Sequence, residues 1–477
     1  FNPIFESPSH HKYDAAFFHH VDNNFGPDPE GDRKIWEGED HSDPSTWEWT
    51  SADKLFLKLL EEAHNRDMRV IIDGVFNHVG NTFWAFKHVL ENQERSRYKE
   101  WFTINSFDDP STDENEFDYE GWYGVKDLPE IREDENGLIK DAAEHVHNIV
   151  KRWMDPNNDG NPSDGIDGWR LDVAEMVDHN FWIKFRNWVK DINPNAYITG
   201  EIWWEDWQNN KMMNAAPWLQ GDQFDAVMNY RFTRAVKHFI SDQENQISSS
   251  AFKDTINLIR RDYNEENLFV LMNLLGSHDT ERLASLIVNP DNWYDHNGNP
   301  AQRETFDVRK PNELERMKQK LMVGIQMTMP GAPMVYYGDE AGMWGGDDPD
   351  CRKPMVWTEF NYVTETTHPF NKERPEDEVR FNSDLFNWYK KLISIRNDNI
   401  ELRRGSLVFI DMEDDKVLAY QRNFEGNTIN ILINKSDENK NINLDRLGTD
   451  FIDLLSERDI STKSNIDLEP YSLVILK

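Results

Sequence analysis

Four short stretches of the chain each set a carboxylate at the end of an apolar run: Asp73-Gly-Val-Phe-Asn-His78, Gly168-Trp-Arg-Leu-Asp172, Gly200-Glu201 and Ser277-His278-Asp279. Singly, an Asp or Glu in such a place serves as a helix cap or salt-bridge partner as often as a reagent. Together they suit displacement at an acetal carbon, where one carboxylate attacks. A second carboxyl group, about 5–5.5 Å away, then protonates the leaving oxygen and later deprotonates water. Asp172 follows Arg170 by two residues, so both side chains face one side of a strand. An adjacent guanidinium favours the ionised carboxylate that a nucleophile needs, although an Arg–Asp pair also serves to hold a sheet together. Glu201 is followed by Trp203 and Trp204, whose rings would desolvate it and raise its pKa toward that of a working acid. Asp279, beside His278, is a third carboxylate able to support positive charge in a transition state. His78 offers a neutral donor, or is a structural histidine.

These groups need a scaffold that brings distant strand ends together. Lys54 to Arg66 carries Leu55, Leu59, Leu60 and Ala63 at helical spacing, and Arg69 to Val75 follows as a buried strand. The alternation repeats with helices over 142–154 and 181–190 and strands over 165–173, 197–202 and 224–229. Strands over 268–275 and 334–337 continue it, with a helix over 314–328 between them. Such alternation predicts a parallel sheet, and so many units predict a (β/α)8 barrel. Counted from Phe1, seven strands are expected rather than eight. A seven-stranded remnant would expose two edges, so the first strand and helix are expected upstream of a chain that opens Phe1-Asn2-Pro3-Ile4 without an initiator Met. The expected domains are barrel strands 2–3 over 1–79, a loop-rich subdomain over 80–134, barrel strands 4–8 over 135–401, and a C-terminal antiparallel β-sandwich over 402–477.

Composition excludes several classes. Among 477 residues, 88 acidic side chains against 52 basic ones give a formal charge of −36, which repels nucleic acid and anionic membranes. An apolar content of 38% is globular, and no run approaches the roughly 20 apolar residues that cross a bilayer. The lone Cys351 has no partner for an internal disulfide. A neutral substrate fits this balance.

The four stretches, with Pro3-Ile-Phe-Glu-Ser-Pro8, His11-Lys-Tyr-Asp14 and Tyr336-Tyr-Gly-Asp-Glu340, resemble the α-amylase family of retaining glycoside hydrolases over nearly the whole chain. The resemblance implies a barrel enzyme that cleaves α-1,4-glucosidic bonds of starch and maltooligosaccharides without a cofactor. It implies Asp172 as nucleophile, Glu201 as general acid/base and Asp279 as transition-state stabiliser. It also implies Tyr13, His78, Arg170 and His278 around the attacked sugar, and Asp348 and Arg352 on the next sugars. Gly168 to Ala174, Val177-Asp-His179 and Ala216 to Asp225 look most like neopullulanases, cyclomaltodextrinases and maltogenic amylases, which implies α-1,6 tolerance, cyclodextrin preference or transglycosylation as alternatives, and a homodimer. Two departures bear on that subgroup: Leu128-Pro129-Glu130-Ile131 replaces its usual Met-Pro-Lys-Leu-Asn, and Glu175-Met176 its usual Asn-Glu. A non-catalytic carbohydrate-binding relative is the remaining alternative, although such relatives typically lack one or more of the acids.

Asp155, Asn157 and Asp159, with Gly160 behind them and Asp164 nearby, have the spacing of a calcium loop but lack its twelfth-position Glu. The same residues also read as a capping turn. Tryptophans 122, 203, 204, 207 and 344 are expected near the barrel mouth, where flat rings stack on sugar faces.

Overall fold

The computed structural model describes residues 1–448, 450–460 and 464–477. Its contacts separate two compact units, Phe1–Trp203 with Met213–Val227, and Trp204–Met212 with Met228–Lys477.

The first unit is built on a parallel sheet whose strands are all buried. Strands β1 (Ile71–Gly74), β2 (Gly168–Leu171), β3 (Tyr197–Gly200) and β4 (Ala226–Val227) lie side by side in that order. Register sets Asp73 beside Arg170 and Arg170 beside Thr199, so their side chains share one face. Ile72, Trp169, Leu171 and Ile198 are wholly buried, as parallel strands covered on both faces require. Helices α1 (Pro29–Gly38), α2 (Ser51–His64), α3 (Trp84–Asn92), α4 (Lys140–Met154) and α5 (His179–Ile192) belong to this unit. Helix α2 starts at a capping box in which Thr50 and Asp53 satisfy each other's backbone N–H groups.

Residues 80–134 contain α3 and short antiparallel pairs, Ile104–Ser106 with Asp118–Tyr119 among them. Isolated bridges join His78 to Glu130 and Phe102 to Ile131.

The second unit pairs β5 (Met272–Asn273) with β6 (Ala332–Pro333) in parallel, and Met228 bridges Met272. Helices α6 (Tyr230–Ile240), α7 (Glu313–Thr328) and α8 (Ser383–Asp398) belong here. From Ser406 onward the chain is antiparallel. Strands β7 (Ser406–Ile410), β8 (Val417–Phe424), β9 (Asn427–Asn434), β11 (Ile452–Asp453), β12 (Arg458–Asp459) and β14 (Ser472–Leu476) form one sheet, while β10 (Lys440–Asn443) pairs with β13 (Asn465–Leu468). Val417, Ala419 and Leu432 from the large sheet and Ile442 and Leu468 from the small pair share one apolar core. Glu425 and Gly426, both at positive φ, make the tight turn from β8 to β9.

Three strand expectations are corrected. Phe1 to Phe5 forms no ladder; only Phe5 makes an antiparallel bridge, to Val21, and Pro3 has no N–H to donate. The 268–275 stretch begins in a short helix, Glu265–Leu268, which confines β5 to two residues. The strand expected over 334–337 lies at Ala332–Pro333 instead: Met334 donates a last bond to Asn273, and the chain then turns at Gly338, whose φ is 86°.

Gly168 has φ 152°, and a Cβ there would lie 1.9 Å from the Tyr197 carbonyl oxygen. Gly168→Ala is expected to cost at least the ~1–3 kcal/mol of a strained backbone position. The loss is read as a lower urea midpoint; an unchanged midpoint would show that the β2–β3 junction relaxes freely.

Candidate active site

Within the first unit, one guanidinium organises the chemistry. Arg170 projects from β2, and its Nη1 donates to Asp73 Oδ1 at 3.0 Å and Oδ2 at 2.9 Å, and to Asp172 Oδ1 at 2.6 Å. Its Nη2 lies 2.9 Å from Glu201 Oε1. All four side chains are at least nine-tenths buried. Asp172 and Glu201 therefore flank a single planar group, three carboxylates facing one cation.

Burial opposes the charge on Arg170, but Asp73, Glu201 and Asp172 together hold its pKa well above the ordinary value. Asp172 is driven the other way. Burial raises its pKa well above the usual carboxylate range; Arg170 opposes that rise, and Glu201 and Asp73 add to it. The expectation that an adjacent Arg170 favours an ionised Asp172 is thus incomplete, because the sequence did not show that Glu201 and Asp73 meet on the same guanidinium.

Glu201, one residue past β3, is held from two sides. Besides Arg170, the Val173 backbone N–H donates to its Oε2 at 3.0 Å. Val173 reaches that position in the left-handed region, at φ 37° and ψ 45°. For a β-branched residue this is a costly conformation, of the kind retained where neighbours over-determine the backbone. In the second unit, Trp204 donates its Nε1 to Asp295 Oδ2 at 3.0 Å.

Tyr13 and His78 also lie in this unit. The Tyr13 hydroxyl donates to Asp73 Oδ2 at 3.2 Å. His78 is buried, and that burial lowers its pKa to about 4, so it is neutral near pH 7. Its ring stacks on Trp122 at 5.3 Å, and its Nε2 has no hydrogen-bond partner.

The second unit holds the remaining expected residues. His278 Nε2 lies 2.9 Å from Asp279 Oδ2, and Arg352 Nη2 lies 3.2 Å from Asp279 Oδ1. Arg352 Nε also contacts the His278 carbonyl oxygen at 2.8 Å and Asp348 Oδ1 at 3.0 Å. Arg352 thus clamps Asp279 and Asp348, contacts that the sequence reading did not include. Trp207 is half-exposed and stacks on His296 at 4.2 Å, whereas Trp344 is buried.

In the proposed calcium loop, Asp159 N–H donates to Asp155 Oδ1 and Asn157 Oδ1, and Gly160 N–H to Asp155 Oδ2. These bonds build the turn whether or not an ion is bound. Asp164 Oδ1 is different: it is buried without a partner, an acceptor that a cation would satisfy.

Asp73 opens one of the four acidic stretches, but its pairing with Arg170 follows only from cross-strand register. Two further participants escaped the sequence reading as site residues. Val173 carries no sequence signal of its conformation. Glu175 is raised to about 8, chiefly by burial and then by Glu201, and one of its carboxylate oxygens is buried without a partner.

Arg170→Leu is expected to leave buried carboxylates without their cation, raising the Asp172 pKa further. A carboxyl raised above its unfolded value, near pH 4, supports the fold only below that value, and the support is lost as pH rises through the folded pKa. The variant's deficit should therefore widen from pH 5 to pH 8, reaching about 3–5 kcal/mol. Denaturant titrations at both pH values check this, and a deficit independent of pH would contradict it.

Comparison with known proteins agrees with this chemistry. The α-amylase catalytic-domain family matches residues 49–405, and the maltogenic amylase C-terminal domain matches residues 407–475. Neopullulanase 2 of Thermoactinomyces vulgaris is 35% identical over 484 residues, covering 100% of this chain and 67% of that protein. A cyclomaltodextrinase of Geobacillus thermopakistaniensis is 33% identical, covering 99% of this chain and 66% of that one. The chain therefore spans about two thirds of the length of these curated relatives. Among solved structures, Ttha1563 from Thermus thermophilus aligns with a TM-score of 0.72 at 29% identity, covering 100% of this chain and 85% of the other. A cyclomaltodextrinase structure aligns at 0.73 with the same identity, covering 100% of this chain and 67% of its own. The chain belongs to the α-amylase family of glycoside hydrolases, family 13, whose catalytic fold is the (β/α)8 barrel.

Proposed function

We propose that this protein hydrolyses α-1,4-glucosidic bonds of starch and maltooligosaccharides with retention of configuration. The observation that carries the reading is the burial of Asp172 and Glu201 against opposite nitrogens of the Arg170 guanidinium. Two carboxyl groups bridged by so small a group belong to the close spacing of retaining enzymes, since an inverting pair stands about 6.5–9.5 Å apart to admit water. Three carboxylates around one guanidinium also favour keeping one proton in the cluster.

In the first step an Asp172 oxygen bonds to the anomeric carbon as the glycosidic C–O bond breaks, and Glu201 gives its proton to the departing oxygen. In the second, Glu201 takes a proton from water, whose oxygen bonds to the same carbon and releases Asp172. The Val173 N–H and Arg170 hold Glu201 in place throughout. His78, neutral by burial, donates to a sugar hydroxyl without competing for the catalytic proton. The role of Asp279 as electrostatic support, and those of Tyr13, His278, Asp348 and Arg352 as sugar contacts, rest on the family's motifs.

A second reading, cyclodextrin or pullulan cleavage, is favoured by the maltogenic amylase C-terminal domain and by the names of the relatives. In either reading residues 80–134 form a small subdomain, and Asp155, Asn157, Asp159 and Asp164 hold calcium, on the support of the unpartnered Asp164 oxygen.

Asp172→Asn is expected to fold normally and lose at least about a thousandfold in kcat on maltooligosaccharides, in line with loss of a covalent nucleophile. Turnover within tenfold of the parent would end the assignment. Glu201→Gln should retain far more of its rate on glucosyl fluoride, whose leaving group needs no proton, than on starch. Initial rates on starch, cyclodextrins and pullulan, with product chromatography, separate the two readings.

A further inference from the structure

Away from the catalytic carboxylates, the first unit gathers four histidines. His19, His20 and His145 are buried and His41 is half-buried. The His19 ring lies flat on Trp47 at 4.4 Å, with the His41 and His145 rings 5.4 and 6.3 Å from it. The His20 Nδ1 is 2.8 Å from Asp53 Oδ2, and its Nε2 is 2.8 Å from Glu39 Oε2. The same Glu39 oxygen lies 3.6 Å from His19 Nε2. One nitrogen from each of His19 and His20 and one oxygen from Glu39 thus lie within 4.8 Å of one another, and no other group of three such ligands does so among the described residues.

The hydrogen bonding assigns the tautomer of His20. Asp53 already accepts the N–H groups of Val21 at 2.7 Å and Thr50 at 3.0 Å, so it acts as an acceptor toward His20, whose Nδ1 carries the proton. A neutral His20 then turns a lone pair at Nε2 toward the Glu39 carboxylate, two acceptors at 2.8 Å with nothing to join them. His19 makes the conflict worse: although wholly buried, neither of its ring nitrogens has a hydrogen-bond partner. A proton on His20 would reconcile His20 with Glu39 but leave His19 Nε2 unanswered. A divalent cation among the three answers His20 Nε2, Glu39 Oε2 and His19 Nε2 together.

We propose that His19, His20 and Glu39 bind a divalent transition metal, with zinc the best match. Two imidazole nitrogens and one carboxylate oxygen form a donor set typical of zinc, whereas calcium and magnesium take oxygen ligands. Asp53 then plays the part of the outer carboxylate that orients a metal-bound histidine. Arg152, 3.3 Å from Asp53, neutralises that outer carboxylate, so the ion meets the single charge of Glu39. The fourth position falls to water. The metal would tie the loop carrying His19 and His20 to Glu39, the residue that ends α1. That loop has no strand ladder of its own in the described residues, so a metal cross-link would supply the rigidity that pairing does not.

The test uses the whole chain, stripped with chelator and titrated with zinc by calorimetry, with retained metal counted by elemental analysis. About one zinc per chain is expected for the parent, and the cobalt-loaded protein should show the visible bands of a four-coordinate site. His19→Gln and Glu39→Gln should each weaken zinc binding by at least a hundredfold, and Asp53→Asn by about 10–100-fold. Far-UV circular dichroism of each stripped variant separates lost ligands from lost folding. Should a variant misfold, the parent decides alone: cobalt bands and tight zinc uptake support the site. No zinc uptake by the stripped parent, or equal uptake by parent and folded His19→Gln, overturns it and leaves His20 as an imidazolium between Asp53 and Glu39.

Discussion

The active-site half of the first unit depends on one constraint: a guanidinium buried among more carboxylates than it can neutralise. Isolated buried charges are costly, and Arg170 is tolerable only because Asp73, Asp172 and Glu201 surround it. The reverse also holds, since the three buried carboxylates would face one another without its positive charge. This mutual need sets the geometry. It pins one oxygen each of Asp172 and Glu201 to the two terminal nitrogens of one rigid plane, and it leaves surplus negative charge that favours a bound proton. In the proposed reaction Glu201 must give up a proton and later regain one, and such a shared, incompletely neutralised environment suits that change.

The backbone delivers these groups through register and strain. Parallel pairing places Asp73 beside Arg170, so the ion pair follows from alignment of β1 with β2. One residue past Asp172 the chain enters the left-handed region at Val173, which turns a peptide N–H onto Glu201. The close approach of β2 to β3 at Gly168 leaves no room for a Cβ. Packing that tolerates neither a methyl group nor a relaxed valine is well suited to holding two carboxylates at fixed separation. His78 fits the same logic, kept neutral by burial beside a Trp122 ring.

Much of this was legible in the residues. The helices expected over 54–66, 142–154, 181–190 and 314–328 are found with ends shifted by a few residues, because an apolar stripe at helical spacing survives any tertiary context. The C-terminal strands around Val417, Thr428 and Ser472 were equally plain from alternation. Strand ends were not: the stretch over 268–275 is apolar but for Asn273, and only its neighbours decide that the ladder spans two residues. The histidine cluster gave no signal at all, since His19-His20, Glu39 and His145 are scattered among loop and helix residues.

By itself the sequence determined which acids are available and that Asp73, Asp172 and Glu201 lie at or just past buried strands, because residue type and local periodicity are properties of short stretches; the family came from the resemblance of its motifs. Tertiary structure alone decided which groups share charge. Coulomb interaction and burial depend on distances between strands, and no spacing along the chain records that Asp73, Asp172 and Glu201 meet on one arginine, or that a strained valine donates the bond that steadies the acid.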